Sequence, residues 1–438
     1  MPRFNLAIIF AASVISLVCY KASERNRFTQ MFGEVLNIIS YEYVRNIDQE
    51  ELFDAAMTGM TTPLDQNSTY LPPHVLPDFK ADLDQEFGGI GIRIFYDEEK
   101  HEIQVVSPLA GAPAYEAGIQ AGDVIVSIDA VDVTQSDSED AVSLLRGEVG
   151  TSVRLGVRHL GLEEIEEIDV ERAEVMVASV LGDTHQPNGD WNFTLEAEPK
   201  IGLIRVNIFG DHTTDEFAKA YQQIDDDVDG LIIDLRNNAG GYLSAAKAIC
   251  DMFIDDGIIV SVKGREGRFE RATKAHSDTT IVKQDIFVVV LVNQLSASAS
   301  EIVAACLQDH KRAVVIGERS YGKGTVQSIY KFDKEKRAIK ITTATYWRPS
   351  GRNIHRFPDA TDEEDWGVSP DEGYEVTVTD DELVQIIKAR MQRDIDRSNI
   401  KDRSRVDNRV KSDEEIELEG VVDTQLQKAI EYLKEKIN

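Results

Sequence analysis

Two short stretches of the sequence contain side chains that could together perform acyl transfer. The first, "NQLSASASEIVAACLQD", joins a buried strand to a helix and places Ser298 at the start of that helix. A serine there can simply cap the helix, since Ser298 and Glu301 have the spacing of a capping box. The same position offers unpaired backbone amides and the positive end of the helix dipole, which stabilise an oxyanion. Ser298 is therefore a candidate nucleophile as well as a candidate cap.

A serine nucleophile needs a base, and the sequence favours a lysine over a histidine. His310 is at the other end of the same helix, about 16 Å away, and cannot reach Ser298. In the second stretch, "VVIGERSYGKGT", Lys323 follows an apolar strand in a glycine turn. Burial there would lower the pKa of the amine towards neutrality, as a lysine base requires. Gln327 lies an even number of positions further on, so in an extended chain it would share the face of Lys323 and could orient the amine.

The same glycine turn has a second interpretation as a phosphate-binding loop. Gly317 to Lys323 fits the first seven positions of a P-loop, but the eighth, which should be Ser or Thr, is Gly324. A P-loop also opens a helix, whereas the β-branched and aromatic composition of "TVQSIYKF" predicts a strand. A nucleotide-dependent enzyme is therefore disfavoured.

Alternating strands and helices surround both stretches. The buried strands "GLIIDLRNN" and "DIFVVVLVN" are separated by helical segments such as "YLSAAKAICDMFI". This order predicts a largely parallel sheet covered by helices, and ligands bind such sheets at the carboxyl ends of the strands. The pattern divides the chain into a leader or anchor, a helical region, a β-rich module, an α/β core and a charged helical region, at 1–27, 28–85, 86–174, 175–378 and 379–438.

Composition and charge limit the partners. The chain has 438 residues and 42% hydrophobic residues, so it is globular. A net charge of −31 repels phosphate backbones, which argues against nucleic-acid binding. The three cysteines, Cys19, Cys250 and Cys306, lie far apart in the sequence, without metal spacing. We therefore expect no disulfide framework, metal or cofactor.

The first residues predict export. Arg3 precedes the apolar run "LAIIFAASVISLVCY", residues 6–20, and Lys21 follows it. The run is shorter than the roughly 20 residues that span a membrane, but it suits a signal peptide. We expect a periplasmic protein, with the segment either cleaved or kept as a membrane anchor facing the periplasm. A buried N-terminal helix is the alternative.

The motifs and their order resemble the carboxyl-terminal processing peptidases, also called tail-specific proteases. The likeness runs from Phe28 to the end of the chain through "GMTTPLDQNSTYL", "EFGGIGI", "AGIQAGDVI", "LRGEVGT", "LIIDLRNNAGG", "SASASE", "GERSYGKGTVQ", "PSGRNIH" and "DTQLQKAIEYL". It implies a multidomain α/β protein with a crotonase-like protease core. By this resemblance the nucleophile, the base and its orienter are Ser298, Lys323 and Gln327, and the backbone amides of Gly241 and Ala299 form the oxyanion hole. Family members usually have proline where this chain has Ala239.

The β-rich module resembles a PDZ domain. Its "FGGIGI" predicts a glycine turn over Gly88, Gly89, Ile90 and Gly91, whose amides could hold a terminal carboxylate. The strand from Ile92 would offer an edge to which a peptide adds. An ordinary hairpin turn is the alternative. The resemblance also implies that Arg146 takes part in gating the protease, although an arginine at a helix end is also a common cap.

We therefore expect an exported serine endopeptidase that recognises apolar protein or peptide C-termini. A homo-oligomer or an adaptor protein is a further expected partner. The alternative is a catalytically silent PDZ adaptor or chaperone, which the intact serine, lysine and glutamine set disfavours.

Overall fold

The computed structural model describes residues 27–84, 86–97, 102–109, 111–134, 138–186, 188–224, 226–267, 270–334, 336–361, 363–394 and 420–437. The predicted signal or anchor segment, residues 6–20, lies outside them. No helix in these ranges has the length and apolar character needed to cross a membrane. The described residues divide into two compact units, one within residues 27–76 and 327–342 and the other within residues 77–326 and 343–437.

The described residues form the following helices and strands. The helices are α1 (Arg27–Glu42), α2 (Gln49–Thr61), α3 (Leu76–Asp84), α4 (Pro113–Glu116), α5 (Ser138–Leu145), α6 (Thr213–Gln222), α7 (Leu243–Asp251), α8 (Ala299–Asp309), α9 (Asp380–Arg393) and α10 (Thr424–Ile437). The strands are β1 (Thr69–Leu71), β2 (Glu86–Gly89), β3 (Ile92–Asp97), β4 (Glu102–Pro108), β5 (Val124–Ile128), β6 (Val131–Asp132), β7 (Ser152–Arg158), β8 (Ile165–Glu171), β9 (Ala173–Met176), β10 (Val180–Leu181), β11 (Thr184–His185), β12 (Trp191–Asn192), β13 (Thr194–Leu195), β14 (Glu198–Val206), β15 (Gly230–Asp234), β16 (Ile258–Gly264), β17 (Glu270–Lys274), β18 (Phe287–Val292), β19 (Val314–Gly317), β20 (Thr325–Phe332) and β21 (Arg337–Trp347).

A largely parallel sheet forms the centre of the larger unit. Strands β14, β15, β18 and β19 run parallel, and β10 and β13 pair antiparallel with β14. Ile204, Ile233, Val290 and Val315 lie side by side across the four parallel strands. Since successive side chains of a strand point to opposite faces, these unbroken apolar runs make both faces of the sheet apolar.

Helices cover both faces of this sheet. Ile233 and Val290 pack on one face with helices α6, α7 and α8. Their chain neighbours Ile232 and Val289 point to the other face, where Leu433 of α10 is fully buried against them. The predicted multidomain α/β class is confirmed.

The β-rich module has its own core. Strands β3, β4, β5, β7 and β8 form one sheet, with β6 on β5, while β2 pairs separately with β9. Ile103, Ile125 and Leu155 are buried at its centre. In the described part of the module β3 is an edge strand, so one side of its backbone can still pair with another strand.

In the smaller unit a short antiparallel sheet packs with two helices. β1 pairs with β21, and β20 pairs with β21 as well. The guanidinium of Arg337 on β21 joins this sheet to α2 through Asp54 and Glu50. β20 is the predicted strand "TVQSIYKF", so this prediction is confirmed.

Cys250 and Cys306, distant in the sequence, meet in space. They lie on the packed helices α7 and α8, and both are fully buried free thiols. Burial, followed by the Cys306 contact, raises the pKa of the Cys250 thiol well above its ordinary value.

Candidate active site

Ser298 lies on a strained turn between the end of β18 and the start of α8. Its backbone has φ 57° and ψ −110°, a conformation that side-chain-bearing residues rarely adopt. Such backbone strain costs about 1–3 kcal/mol and clusters at functional sites. Asn293 and Ser296 hold the turn, since Ser296 Oγ accepts from the Asn293 N–H at 3.0 Å and donates to the Leu235 carbonyl at 2.8 Å. Ser298 is only 7% exposed.

The fully buried Glu301 carboxylate joins the Ser298 turn to the Lys323 turn. Its Oε2 accepts from the backbone N–H of Ser298 and from that of Lys323, both at 2.8 Å. Its Oε1 accepts from Ser320 Oγ and from the Gly322 N–H, both at 2.6 Å. The backbone nitrogens of Ser298 and Lys323 both bind Oε2, so the distance between them cannot exceed the sum of these two bond lengths.

The sequence identified Glu301 only as half of a capping box. The structure does contain the expected bond from the Ser298 N–H, but the same carboxylate also binds a loop about twenty residues further along the chain. Burial raises the pKa of Glu301 to about 7, while the four hydrogen bonds that it accepts act in the opposite direction. Only the ionised carboxylate can accept all four.

Lys323 is half-buried at the centre of a tight turn. The Gly324 N–H donates to the Gly322 carbonyl at 3.2 Å, so the chain is not extended at Lys323. In a strand, successive side chains alternate between two faces, and this alternation predicted that Lys323 and Gln327 share one face. In the structure the strand begins only at β20, after Lys323. A side chain at position 324 would collide with the backbone of His355. This packing explains the glycine at the position where a P-loop has Ser or Thr.

Gln327 lies on β20 with its side-chain amide directed at a neighbouring strand. Its Nε2 donates to Thr342 Oγ1 at 3.2 Å, and that hydroxyl donates to Asp65 Oδ1 at 3.1 Å. The role of Gln327 in orienting the Lys323 amine stays a prediction.

We expect Gln327→Ala to keep the fold and to lower kcat by about 10- to 1000-fold, the range of an auxiliary hydrogen-bond or base contribution. Steady-state kinetics on a peptide substrate would measure this change. Thr342→Val is the matched control, because it removes the partner of the Gln327 amide but leaves the glutamine. Unchanged kinetics in Gln327→Ala, or an equal loss in Thr342→Val, would contradict a direct role.

The turn that carries Gly240 and Gly241 lies directly against Ser298. A Cβ at Gly240 would lie 2.7 Å from Ser298 Cβ and 3.0 Å from the Ala299 nitrogen, so only glycine fits. Asn238 Oδ1 accepts from the Gly240 N–H at 2.8 Å and fixes the turn. The usual family proline is therefore not needed at Ala239 to hold this conformation.

Tyr346 is a site residue that the sequence did not reveal. It is buried on β21, its N–H donates to the Gly324 carbonyl at 2.7 Å, and its phenol lies close enough to the Ser298 side chain for that side chain to influence its pKa. Burial raises the pKa of Tyr346 to about 12, so the phenol stays protonated. The strand "TATYW" carries no chemical signal that distinguishes this tyrosine from a core residue.

The predicted turn over Gly88–Gly91 is wrong in its first half. Gly88 and Gly89 belong to β2 and pair with β9, and the Gly88 carbonyl accepts from the Gly147 N–H at 3.0 Å. The glycines allow this close backbone packing instead of forming a turn. Only Ile90 and Gly91 form the turn before Ile92, and Ile90 is buried in the module's core.

The end of helix α5 is bound by a different arginine, Arg172, and the gating and capping roles of Arg146 stay predictions. The carbonyls of Leu144 and Leu145 at the end of α5 accept from the guanidinium of Arg172, at 2.8 and 3.1 Å. The Arg146 guanidinium instead lies over the ring of Phe87, 4.8 Å from its centre. Phe87 is on β2, so Arg146 contacts the strand that leads to the Ile90–Gly91 turn.

The chain is similar to several known proteins. Residues 200–372 match peptidase family S41 and residues 104–159 match a PDZ domain. A carboxy-terminal-processing protease of Bartonella bacilliformis is 33% identical over 412 residues, 89% of this chain and 88% of that protein. Carboxy-terminal processing protease CtpB of Bacillus subtilis is 32% identical over 337 residues, 76% of this chain and 67% of that protein. Among solved structures, a photosystem II D1 C-terminal processing protease is 27% identical, covers 77% of this chain and 85% of its own, and has a TM-score of 0.44.

The α/β core and the β-rich module together define a serine peptidase that contains a PDZ domain. Within that class, the chain belongs to the carboxyl-terminal processing peptidases of family S41. The family predicted from the sequence motifs is confirmed.

Proposed function

We propose that this enzyme cleaves proteins by serine–lysine catalysis, with Ser298 as nucleophile and Lys323 as base. The observation that carries the proposal is the shared Glu301 oxygen, which accepts the backbone N–H groups of both residues at 2.8 Å. No histidine is needed in this scheme. His310 is at the far end of α8, with Nε2 2.8 Å from the Ile258 carbonyl.

The chemistry would proceed through an ester on Ser298. Lys323 Nζ takes the hydroxyl proton as Oγ attacks the peptide carbonyl, and the amides of Gly241 and Ala299 stabilise the oxyanion. The C–N bond then breaks, and the leaving amine takes the proton from Lys323. A water activated by the same lysine attacks the ester, which releases the acid product and regenerates the serine.

Digestion of an unstructured protein with an apolar C-terminal tail tests this function. The wild-type chain should cleave it, and Ser298→Ala should bind the same protein without cleaving it. If the wild-type chain binds the tail but leaves the protein intact, the alternative of a silent PDZ adaptor is correct.

We further propose that the PDZ domain selects substrates by a free, apolar C-terminal residue. The edge strand β3 can pair with an extended tail, and the Ile90–Gly91 turn stands at its start, where amides can receive a carboxylate. Ile92 is only partly buried against the module's core and can contact an apolar last side chain.

Amidation of the tail is therefore expected to weaken binding. A charge-assisted hydrogen bond contributes about 1.5–3 kcal/mol, so the affinity should fall by roughly 10- to 150-fold. The measurement is the Kd of full-length Ser298→Ala for one peptide in its acid and amide forms. Equal binding of the two forms would contradict carboxylate recognition.

Arg146→Ala separates docking from gating, by which we mean control of cleavage by the bound tail. Its guanidinium lies over Phe87 on the strand that leads to the tail-binding turn. In a gated enzyme this variant binds tails normally but no longer cleaves tailed proteins. If cleavage persists, the PDZ domain only docks the substrate.

We also propose that the protein is exported, that residues 6–20 serve as signal or membrane anchor, and that the copies associate. Helix α1 supports association, because four apolar side chains at helical spacing are each more than half exposed: Phe28, Met31, Val35 and Ile38. A stripe of this kind is typical of a helix that packs against a partner, either a second copy or an adaptor protein.

A further inference from the structure

The chain enters the PDZ domain at a junction that is tied to the protease core by two side-chain contacts. Helix α3 ends at Asp84, and strand β2 begins at Glu86. The Tyr242 hydroxyl donates to Asp84 Oδ1 at 2.6 Å, and His212 Nε2 lies 2.8 Å from Glu86 Oε1. The Asp84 side chain is 17% exposed, whereas the Glu86 and His212 side chains are 37% and 46% exposed. The more buried tyrosine–aspartate bond is therefore the stronger of the two.

Tyr242 follows Gly241 directly, and its backbone is fixed in the same turn. The Tyr242 N–H donates to the Phe209 carbonyl at 2.6 Å, while the Phe209 N–H donates to the Gly240 carbonyl at 2.9 Å. The Gly240–Tyr242 turn is thus pinned on both sides of Gly241 to the loop that ends at His212. Gly240 lies so close to Ser298 that no Cβ would fit between them, so a displacement of Tyr242 would be expected to reach the serine.

The other end of the connection is the tail-binding turn. Strand β2 continues from Glu86 through Phe87, which Arg146 covers, to the Ile90–Gly91 turn. Only a few residues of chain therefore separate that turn from Asp84. The hydrogen bond between Asp84 and Tyr242 then connects them to the residue that follows Gly241.

We propose that Tyr242 is a positioning residue for the oxyanion hole and that Asp84 anchors it, so that a tail bound to the PDZ domain favours acylation of Ser298 through this one bond. The inference rests on the proposed function, since it takes Ser298 as nucleophile and Gly241 as an oxyanion donor. The Tyr242–Asp84 contact is distinct from Ser298, Lys323 and the Arg146 interaction, to which the proposed function already assigns roles. Burial, and then Asp84, raise the pKa of Tyr242 well above its ordinary value, which keeps the phenol a donor at every working pH.

The test measures the rate at which a fluorophosphonate acylates Ser298 in the full-length protein, with and without a saturating peptide that has a free apolar C-terminus. The serine oxygen displaces fluoride from phosphorus, and the phosphoryl oxygen occupies the oxyanion hole. Loss of one oxyanion donor costs about 10²–10³ in rate. We expect Tyr242→Phe, which removes only the hydroxyl, to label 10- to 100-fold more slowly with peptide bound, a partial loss of that donor. Its peptide Kd should stay within about twofold of wild type, because the PDZ contacts are unchanged.

Four variants show whether the Asp84 bond is responsible. Asp84→Ala should reproduce the loss, and combining it with Tyr242→Phe should add nothing. Asp84→Asn keeps an acceptor oxygen and should retain most of the peptide stimulation. Tyr70→Phe is the matched control, since Tyr70 donates a similar bond to Asp54 at 2.5 Å and should label like wild type.

The outcomes distinguish this inference from the proposed function. If Ser298→Ala is not labelled but Tyr242→Phe labels at the wild-type rate with peptide, the inference is wrong and the proposed function stands. It is also wrong if Tyr70→Phe slows as much as Tyr242→Phe, because the loss is then a general effect on the fold. If wild type is not labelled at Ser298, the proposed function and the inference both fail.

Discussion

Lys323→Arg is expected to give a folded protein with no measurable peptidase activity at pH 7. A guanidinium stays protonated up to a pH above 12, so it cannot accept the proton of Ser298. The loss should equal that of Ser298→Ala and be on the order of 10⁴-fold or more, because a nucleophile and its base act as one unit. Initial rates on a tailed peptide, with thermal melting as the folding control, measure it.

Lys331→Arg is the matched control for this substitution. Lys331 is an exposed lysine on β20, and its replacement should leave both rate and melting temperature unchanged. Substantial turnover by Lys323→Arg at pH 7 would rule out lysine as the base. The double variant Ser298→Ala with Lys323→Arg should be no less active than either single variant, since the second change removes a group with no remaining partner.

Glu301→Gln is expected to cause the second largest loss. An amide has one acceptor oxygen, so its NH₂ group would face two of the four donors that now bind the carboxylate. Each buried donor that is left facing the NH₂ group costs about 1–3 kcal/mol, so the protein should melt at a clearly lower temperature. Activity should fall by about 100-fold or more, because a misplacement near 1 Å has that cost.

Glu382→Gln is the control, because Glu382 completes an exposed capping box with Thr379 at the start of α9. It should reduce stability by no more than about 1 kcal/mol and leave activity intact. If the two glutamate variants behave alike, Glu301 is only a cap and does not hold the Lys323 turn.

The raised pKa of Glu301 predicts opposite pH trends for stability and activity. Its contribution to stability is complete below the ordinary value of 4.5 and is lost as the pH rises through about 7. The ionised form alone holds both turns, so activity should instead rise through the same interval. The difference in melting temperature between wild type and Glu301→Gln, measured from pH 4.5 to 8, should therefore shrink as the pH rises. A difference that is constant with pH would contradict this titration.

Local patterns were enough to predict the sheet, its covering helices and the family. Continuous apolar runs such as the one through Val290 can only be buried strands, and the β-branched run after Gly324 could not continue as a helix. The motif around Ser298 and the motif around Lys323 are each a continuous stretch of sequence. Their residues and the distance between them along the chain therefore indicated the family without any tertiary contact.

The remaining site features depend on segments that are distant in the sequence. Nothing near Glu301 indicates that its carboxylate would bind the Lys323 turn, because a capping box looks the same with or without that second loop. Gly88 and Gly89 look like a turn until β9, far along the chain, is available to pair with them. Tyr346 likewise becomes a site residue only when β21 is placed beside Gly324.

At Ser298 the proposed chemistry and the stability of the fold favour different residues, because its φ is positive. A glycine there would adopt φ 57° without the steric cost that serine bears, and it would have no hydroxyl. With Ser298 as the proposed nucleophile, selection for stability alone would favour its replacement by glycine, whereas selection for turnover would retain the serine. A lineage that no longer needed proteolysis would be expected to lose Ser298 and to become more stable as it did so, even if it kept its PDZ domain.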